Sequence, residues 1–310
     1  MAASSRHFRL RTVAPGVHVA EATVGGHALS NGTIVDLGGT TVVFDTMLTP
    51  GAAHDLGRAA ERHTGRKPGF VVTSHYHGDH CRGNASFRPA HLVATARTRE
   101  LILERGPSGL SEDRAFASAE LAALRSGKKV VPARDRPLYE GWYGGILATP
   151  RRLRFPAPDV LVAPEVTLVG ARRSLRVLTF GGGHSPSDVL AYLPEEKIVL
   201  LGDLVTIGYH PWLPDGDPAE LVRILDRVLG LGVDQAVPGH GPVGGPRDIR
   251  RLQAYVRGLR TRARSLLRTG RSRAVPEIEI PPPYTDWHFG DFYRENLEFV
   301  VKWERRRTAR

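Results

Sequence analysis

A short segment of the chain, Ser74-His75-Tyr76-His77-Gly78-Asp79-His80, places four potential metal ligands within six residues. The preceding residues, Phe70-Val71-Val72-Thr73, form a short apolar and β-branched run after Pro68-Gly69, which predicts a buried strand. A strand that ends in such a loop directs several imidazoles and a carboxylate into one space. Imidazole nitrogen and carboxylate oxygen suit zinc, and suit iron or manganese less selectively.

Three later motifs each put one more ligand type directly after a predicted strand. His184 follows Gly181-Gly182-Gly183, Asp203 follows Gly202, and His240 follows Gly239. Open sheets build their sites at the carboxyl ends of strands, and glycine lets the backbone turn sharply and approach a metal closely. Each motif alone is typical of an ordinary turn, but the four motifs in this order predict a metal site.

The succession His-x-His-x-Asp-His, then a single His, a single Asp and a final His, resembles the metallo-β-lactamase superfamily. The resemblance extends from Gly16 to about His240. It implies an α/β fold, the four-layer αββα sandwich, within a single domain that spans residues 1–310. We expect a core at about 16–245, an insertion at 106–164, and a C-terminal helix and tail at 246–310.

The resemblance also implies a division of the ligands between two metal ions. His75, His77 and His184 hold the first ion; Asp79, His80 and His240 hold the second; Asp203 bridges them. An aspartate at position 203 is similar to the glyoxalase II and lactonase branches. The only cysteine, Cys81, does not stand where other branches place a cysteine ligand. We expect two Zn²⁺ per chain, with iron or manganese as alternatives.

Such a ligand set predicts hydrolysis. Two dications about 3.5–4 Å apart lower the pKa of a shared water toward neutrality, so that hydroxide attacks an ester, thioester, lactone or lactam carbonyl. Asp79 is the predicted catalytic residue, which accepts a proton from that water. Asp45 is either a support of the ligands or a turn carboxylate. Asp188 either holds a loop or a His ring or is a cap or turn residue, and we favour the cap or turn interpretation. Tyr209 and His210 are weaker hypotheses for polarising a substrate oxygen.

Two other activities remain open within the same family. One is a phosphodiesterase or nuclease, which the net charge of +11 favours. The other is a mononuclear iron dioxygenase that acts on persulfides, although the complete second ligand set favours two metals. The late arginines, such as Arg257, Arg260 and Arg264, lie in a predicted amphipathic helix at 246–269. We interpret them as its solvated face, so nucleic acid is not an expected partner.

Composition supports an enzyme that acts on a small molecule. The chain has 310 residues, of which 41% are hydrophobic, enough for a sizeable core. It has no run of 18 apolar residues, no evident apolar leader and one cysteine, so we expect a cytoplasmic protein without a membrane span. The pattern predicts no particular oligomer.

The elements that must position these ligands are predicted from periodicity and turn residues. Strands are expected at 17–22, 30–36, 41–45, 91–94, 166–169, 175–180, 189–193 and 198–201. Helices are expected at 51–63, 96–104, 111–125 and 218–229. The aromatic residues near the C-terminus, among them Trp287, Phe289 and Phe292, predict a segment that covers the sheet edge or the insertion, or else a pocket wall.

Overall fold

The computed structural model describes residues 5–271, 275 and 277–308, and two β-sheets dominate it. The first sheet has seven strands in the order β1 to β7, and the second has five strands in the order β12-β11-β10-β9-β8. The strands are β1 Phe8–Ala14, β2 Val17–Ala22, β3 Gly32–Asp36, β4 Thr41–Phe44, β5 Phe70–Val72, β6 His91–Ala94, β7 Val160–Leu161, β8 Glu165–Val169, β9 Ser174–Gly181, β10 Asp188–Leu193, β11 Ile198–Leu200 and β12 Gln235–Val237.

Helices cover the outer faces of both sheets. They are α1 Pro50–Thr64, α2 Gly78–Cys81, α3 Ala96–Arg125, α4 Arg136–Ala148, α5 Pro218–Gly230, α6 Pro246–Arg268 and α7 Asp291–Thr308. The face of the first sheet that carries Ile34 and Val43 packs on α1 through Leu56. The outer face of the second sheet packs on α5 and α6. Among the described helices, none is long and apolar enough to cross a membrane.

The inner faces of the two sheets enclose a shared apolar core. Val19, Val35 and Phe44 of the first sheet pack in the same buried cluster as Val177 and Leu200 of the second. With helices outside both sheets, the layers follow the order helix, sheet, sheet, helix. The predicted αββα sandwich is therefore confirmed.

Parallel pairing brings the ligand loops to one edge. Strands β4, β5 and β6 are parallel neighbours, and β11 is parallel to β12 in the second sheet. The carboxyl ends of parallel neighbours meet at the same edge of a sheet. Asp45 and the loop after β5 therefore emerge side by side, as do the Gly202 turn and the Gly239 turn. β4 is buried along its whole length, as expected of a strand covered on both faces.

The insertion departs from its predicted elements. The expected break between two helices at 96–104 and 111–125 is wrong, because α3 continues through Pro107. A proline removes one backbone donor and normally breaks a helix interior. Packing outweighs this cost here: a Cβ at Gly106 would lie 2.6 Å from the Phe155 ring, so the helix is closely covered at this turn. Strand β1 and helices α4 and α7 were not predicted at all.

The C-terminal helix α7 is fastened to the rest of the chain by buried polar groups. Glu304 of α7 accepts hydrogen bonds from Arg260 at 2.8 Å and Arg264 at 3.1 Å, both on α6. Asn296 accepts from the Leu213 amide at 3.0 Å and donates to the Pro211 carbonyl at 2.7 Å. The second contact joins α7 to the loop that follows the Asp203 turn.

We expect Asn296→Leu to lower the free energy of unfolding by about 2–4 kcal/mol, measured by denaturant titration. The leucine fills a similar volume but leaves the buried Leu213 amide and Pro211 carbonyl unpaired, at about 1–3 kcal/mol each. Glu298→Gln, on the exposed face of α7, is the control and should stay within about 0.5 kcal/mol. Equal stability of the two variants would contradict this role for Asn296.

Candidate metal centre

The seven predicted ligands gather in two adjoining groups. His75, His77, His184 and Asp203 form one group, and Asp79, His80 and His240 form the other; in each, the potential ligand atoms lie within 4.8 Å of one another. Residues more than 160 positions apart in sequence thus converge at the edge where the parallel strands end. Cys81 belongs to neither group; it is buried, and its thiol donates to the Tyr76 carbonyl at 3.3 Å.

The Asp203 carboxylate faces both groups with different oxygens. Its Oδ2 lies 3.5 Å from His184 Nε2 and 4.0 Å from His75 Nε2. Its Oδ1 lies 3.3 Å from both His80 Nε2 and His240 Nε2. Asp79 Oδ2 adds contacts of 3.4 Å to His80 Nε2 and 3.3 Å to His240 Nε2. The carboxylate therefore has the position of a bridge.

Hydrogen bonds elsewhere orient four of the imidazoles. His80 Nδ1 donates to Asp45 at 2.7 Å, His75 Nδ1 to Ser74 Oγ at 2.9 Å, and His240 Nδ1 to the Leu29 carbonyl at 3.0 Å. His77 differs, because its Nε2 donates to Asp215 at 2.8 Å. Each bond engages one ring nitrogen and directs the other into the site, where it can bind a metal ion in place of a proton.

The free atoms fit metal ions. Three buried atoms, His75 Nε2, His80 Nε2 and Asp203 Oδ1, have no hydrogen-bond partner among the described residues. Such groups cost free energy unless something compensates them. Tetrahedral zinc with bonds of 2.0–2.1 Å needs donors roughly 3.3 Å apart. His77 Nδ1 and His184 Nε2 are 3.1 Å apart, close to that separation.

Charge within the site is balanced between acids and imidazoles. Burial favours the neutral acid, yet His240 and His80 outweigh it and hold the pKa of Asp203 well below its usual range. Burial likewise opposes a charged His80, but Asp203, Asp79 and Asp45 raise its pKa well above the usual value. Carboxylates that stay ionised beside buried nitrogens are suited to binding cations.

Asp45 supports the site from beneath. Its carboxylate accepts from the Ser74 amide and hydroxyl, both at 2.7 Å, as well as from His80. It has a φ of 60°, a strained conformation for a residue other than glycine. The tight backbone turn aims the carboxylate beneath the ligand loop. Of the two hypotheses for Asp45, the structure favours the supporting role.

Asp188 holds the loop that carries His184. It accepts hydrogen bonds from the amides of Gly183 and His184 at 2.7 and 2.9 Å, and from Ser185 Oγ at 2.7 Å. Burial raises the pKa of its carboxyl to about 6 despite these donors. Asp188 is the first residue of β10 rather than a cap or turn residue, and its carboxylate holds the loop of a predicted ligand, so the structure favours the other hypothesis for this residue.

Glycine is required where the last two ligand turns meet. A Cβ at Gly239 would lie 1.9 Å from Asp203 Oδ1, closer than any real side chain approaches. The Gly239 amide donates to the Gly202 carbonyl at 2.7 Å, which joins the turns directly. Close approach of backbone thus explains the glycine beside this ligand.

Asp215 is the functional residue that sequence reasoning missed. Its Oδ2 accepts from His77 Nε2 and from the Tyr76 hydroxyl, each at 2.8 Å, and the bond from His77 lowers its pKa to about 2. Arg105 of α3 donates to the Tyr76 hydroxyl at 3.1 Å. Asp215 stands in a loop without a ligand-like motif. The only sequence signal near Asp215 is the predicted turn at Trp212-Leu213-Pro214, which does not indicate a functional residue by itself.

Tyr209 and His210 both line the cavity described next, but their side chains make different contacts. The Tyr209 ring lies 6.1 Å from His240 and borders the cavity described next. His210 Nδ1 accepts from the Tyr255 hydroxyl at 3.0 Å, and burial lowers its pKa to about 4. Of the two, Tyr209 is better placed to contact a substrate.

A cavity of about 1000 Å³ opens over the metal-ligand groups. His77, Asp79, Asp203 and His240 lie at its base. Its walls come from α3 and α4 of the insertion, from the loop at 206–215, and from residues 289–295. The expected C-terminal segment does pack against the insertion, since Phe289 lies 4.9 Å from Tyr139. It also forms a pocket wall.

Two sheets flanked by helices, with clustered His and Asp at the strand ends, define a mixed α/β protein with a candidate metal centre. The profile of the metallo-beta-lactamase superfamily matches residues 25–240. The chain belongs to that superfamily, as the sequence motifs predicted.

Similar proteins share parts of this architecture. The metallo-beta-lactamase from Pontibacter korlensis is 19% identical, with a TM-score of 0.59 over 81% of this chain and 99% of its own. The sec-alkylsulfatase Pisa1 from Pseudomonas sp. is 21% identical, with a TM-score of 0.68 over 96% of this chain but 50% of its own. At these identities the likeness concerns the fold.

A curated relative is the 2,4-dinitroanisole O-demethylase subunit alpha of Nocardioides sp. (strain JS1661). It is 27% identical over 203 residues, which cover 64% of this chain. The matched region spans 48% of that relative, so the chain corresponds to about half its length.

We expect Asp215→Ala to weaken zinc binding by about 10–100-fold, because His77 loses the partner that fixes its ring. Competition with a chromophoric zinc chelator measures the change. Asp234→Ala removes an exposed carboxylate far from the site and serves as the control. Unchanged zinc affinity in Asp215→Ala would refute the orienting role.

Proposed function

We propose that this chain is a dinuclear metal-dependent hydrolase that cleaves an ester, thioester, lactone or lactam. One observation carries the proposal: the Asp203 carboxylate directs one oxygen toward each histidine group, at 3.3–3.5 Å from the nearest nitrogens. A mononuclear site needs only one set of donors, so it does not require a carboxylate held between two complete sets. The same feature weighs against the mononuclear iron persulfide dioxygenase.

In this proposal the ligands keep the division that the family pattern implies. His75, His77 and His184 would hold one zinc ion, and Asp79, His80 and His240 would hold the other, with Asp203 shared by the two groups. When bound, two such ions lower the pKa of a water and polarise a substrate oxygen. Iron or manganese suits the same donors less selectively.

The protein groups then bind, orient and move protons. Asp79 borders the cavity and stays ionised, so its carboxylate is placed to accept a proton as water attacks the substrate. Tyr209 borders the same space and has a hydroxyl to donate to a substrate oxygen. Burial raises its pKa to about 12, which keeps that proton in place at neutral pH. No serine or cysteine nucleophile is required.

The remaining assignments follow from composition. The chain acts as a single domain, with residues 106–164 and 246–310 as additions to the core. One cysteine, Cys81, and no paired thiols suit a reducing cytoplasm. A small molecule is the proposed substrate, because several of the predicted ligands line a cavity of about 1000 Å³.

A second candidate reaction is cleavage of an aryl ether. The curated match to a 2,4-dinitroanisole O-demethylase subunit favours it, and the cleavage needs the same activated water at a different carbon. A panel of ester, thioester, lactone, lactam, aryl ether and phosphodiester substrates separates the reactions. Carbonyl substrates should give the highest metal-dependent kcat/KM.

We expect two zinc ions per chain by elemental analysis of the protein as purified. Asp203→Ala should reduce the metal content and lower kcat/KM by about 10²-fold or more. Both ions would lose a direct ligand, and this loss should cost more activity than the loss of a residue that only supports a ligand. His77→Ala and His240→Ala should each lose one ion. Cys81→Ser is the control and should retain both ions and full rate. Full metal content in Asp203→Ala would exclude the bridge.

The nuclease alternative is tested by removing exposed positive charges from α6. Arg260 and Arg264 bind Glu304 and so support α7, whereas Arg250, Arg262 and Arg268 are exposed on α6. We expect their joint replacement by glutamine to leave carbonyl hydrolysis unchanged. Any binding of DNA or RNA should be weak and fade steeply between low and physiological salt. Submicromolar, salt-resistant binding that the replacement abolishes would favour the nuclease.

A further inference from the structure

Aromatic rings form a continuous path from the metal-ligand groups to the far wall of the cavity. Tyr209, next to His240, lies 5.9 Å from Phe289. Phe289 lies 5.8 Å from Trp142 and stacks on Phe292 at 5.2 Å, and Trp212 lies 5.2 Å from Phe292. These rings come from three separate parts of the chain: the loop after Asp203, helix α4 and the C-terminal segment.

The path is held in place by polar contacts behind it. His288 Nδ1 donates to Asp135 at 2.6 Å, which joins the C-terminal segment to the start of α4. The amides of His288 and His210 bond to the carbonyls of Gly208 and His288 at 2.9 and 3.0 Å. The Tyr139 hydroxyl donates to Asp291. The aromatic wall is therefore a built surface that needs little ordering when a ligand binds.

The lining also has a charge opposite to that of the protein. The chain as a whole carries +11. Apart from the metal-centre groups and Asp215, the cavity lining has five carboxylates and three cations. Arg82 pairs with Asp113 and Lys129 with Glu120, whereas Arg105 donates to the Tyr76 hydroxyl and keeps its charge. Glu112 and Glu295 are exposed at the cavity. The carboxylates are Glu112, Asp113, Glu120, Asp291 and Glu295.

Such a lining selects by two properties. Aromatic faces bind flat apolar groups through burial and offset stacking, worth about 0.5–1.5 kcal/mol per ring pair beyond area. The excess of carboxylates over cations repels anions on this side of the cavity and leaves neutral groups unaffected. At about 1000 Å³ the cavity is also large for a ligand pocket. A short acyl chain would leave most of the aromatic wall uncovered.

We propose that the substrate is an uncharged carbonyl compound with a bulky aromatic group, and that this group lies on Trp142, Phe289 and Phe292. The proposal rests on the hydrolase function above and specifies its substrate class. It places the scissile carbonyl next to Tyr209 at the base, and it excludes substrates with an anionic group on the aromatic side.

The test uses two probes of similar size, methyl naphthalene-2-carboxylate and naphthalene-2-sulfonate. Equilibrium dialysis measures their binding to the full chain after its metals have been removed with EDTA. We expect the neutral ester to bind at least 10-fold more tightly than the sulfonate. The double variant Glu112→Gln and Glu295→Gln should improve sulfonate binding by about twofold for each charge removed and leave ester binding unchanged.

Variants of the wall test the position of the ring. Phe292→Ala and Trp142→Leu should each weaken binding of the neutral ester by about 10-fold. Phe299→Ala is the matched control, because this ring packs on the second-sheet core outside the cavity. Two wall variants are used so that loss of folding in one, checked by thermal unfolding, leaves the other informative. Equal binding of ester and sulfonate, or unchanged affinity in the folded wall variants, would overturn the proposal.

Kinetics of the zinc-loaded enzyme separate this inference from the proposed function. We expect kcat/KM for methyl naphthalene-2-carboxylate to exceed that for methyl acetate by at least 10-fold. Selective binding without hydrolysis would retain the substrate class and reject the carbonyl reaction. Hydrolysis of both esters at equal rates would retain the reaction and reject the aromatic subsite.

Discussion

The structure depends on a carboxylate that faces five imidazoles at the edge of two sheets. Asp203 stands between two donor groups whose nitrogens point inward. Two of these nitrogens, His75 Nε2 and His80 Nε2, have no hydrogen-bond partner among the described residues. Buried polar atoms are costly when unpaired, so this arrangement persists only if the surrounding fold fixes it. Cations that bind there compensate the cost and link metal binding to stability.

Three supporting carboxylates show how the fold fixes it. Asp45 holds Ser74 and His80, Asp188 holds the backbone around His184, and Asp215 holds His77. Each lies on a different element from the ligand it supports or closes a tight loop around it. Together they select the tautomer or position of the ligands before any ion arrives, which is how outer contacts tune a metal site.

The family core and the added segments have separate tasks. The two sheets supply the edge that carries the predicted ligands, and the fold is shared with the compared metallo-beta-lactamase over 81% of the chain. The insertion and the C-terminal segment build the cavity above it. Trp142 and Phe289, 147 positions apart in sequence, meet there at 5.8 Å. Different walls above such an edge can serve different substrates, because function depends on the site and not on the fold.

The sequence by itself indicated the candidate ligands and most strands of the core. His75, His77, Asp79 and His80 are recognisable because they lie within one loop, and the strands around them are short apolar runs bounded by glycine. These signals are local, so they can be recognised from the sequence alone. Tertiary structure alone decided the rest. Asp215 meets His77, α3 runs through Pro107, and the C-terminal aromatics join α4, because packing between distant segments outweighs local propensity, and a linear pattern carries no record of such contacts.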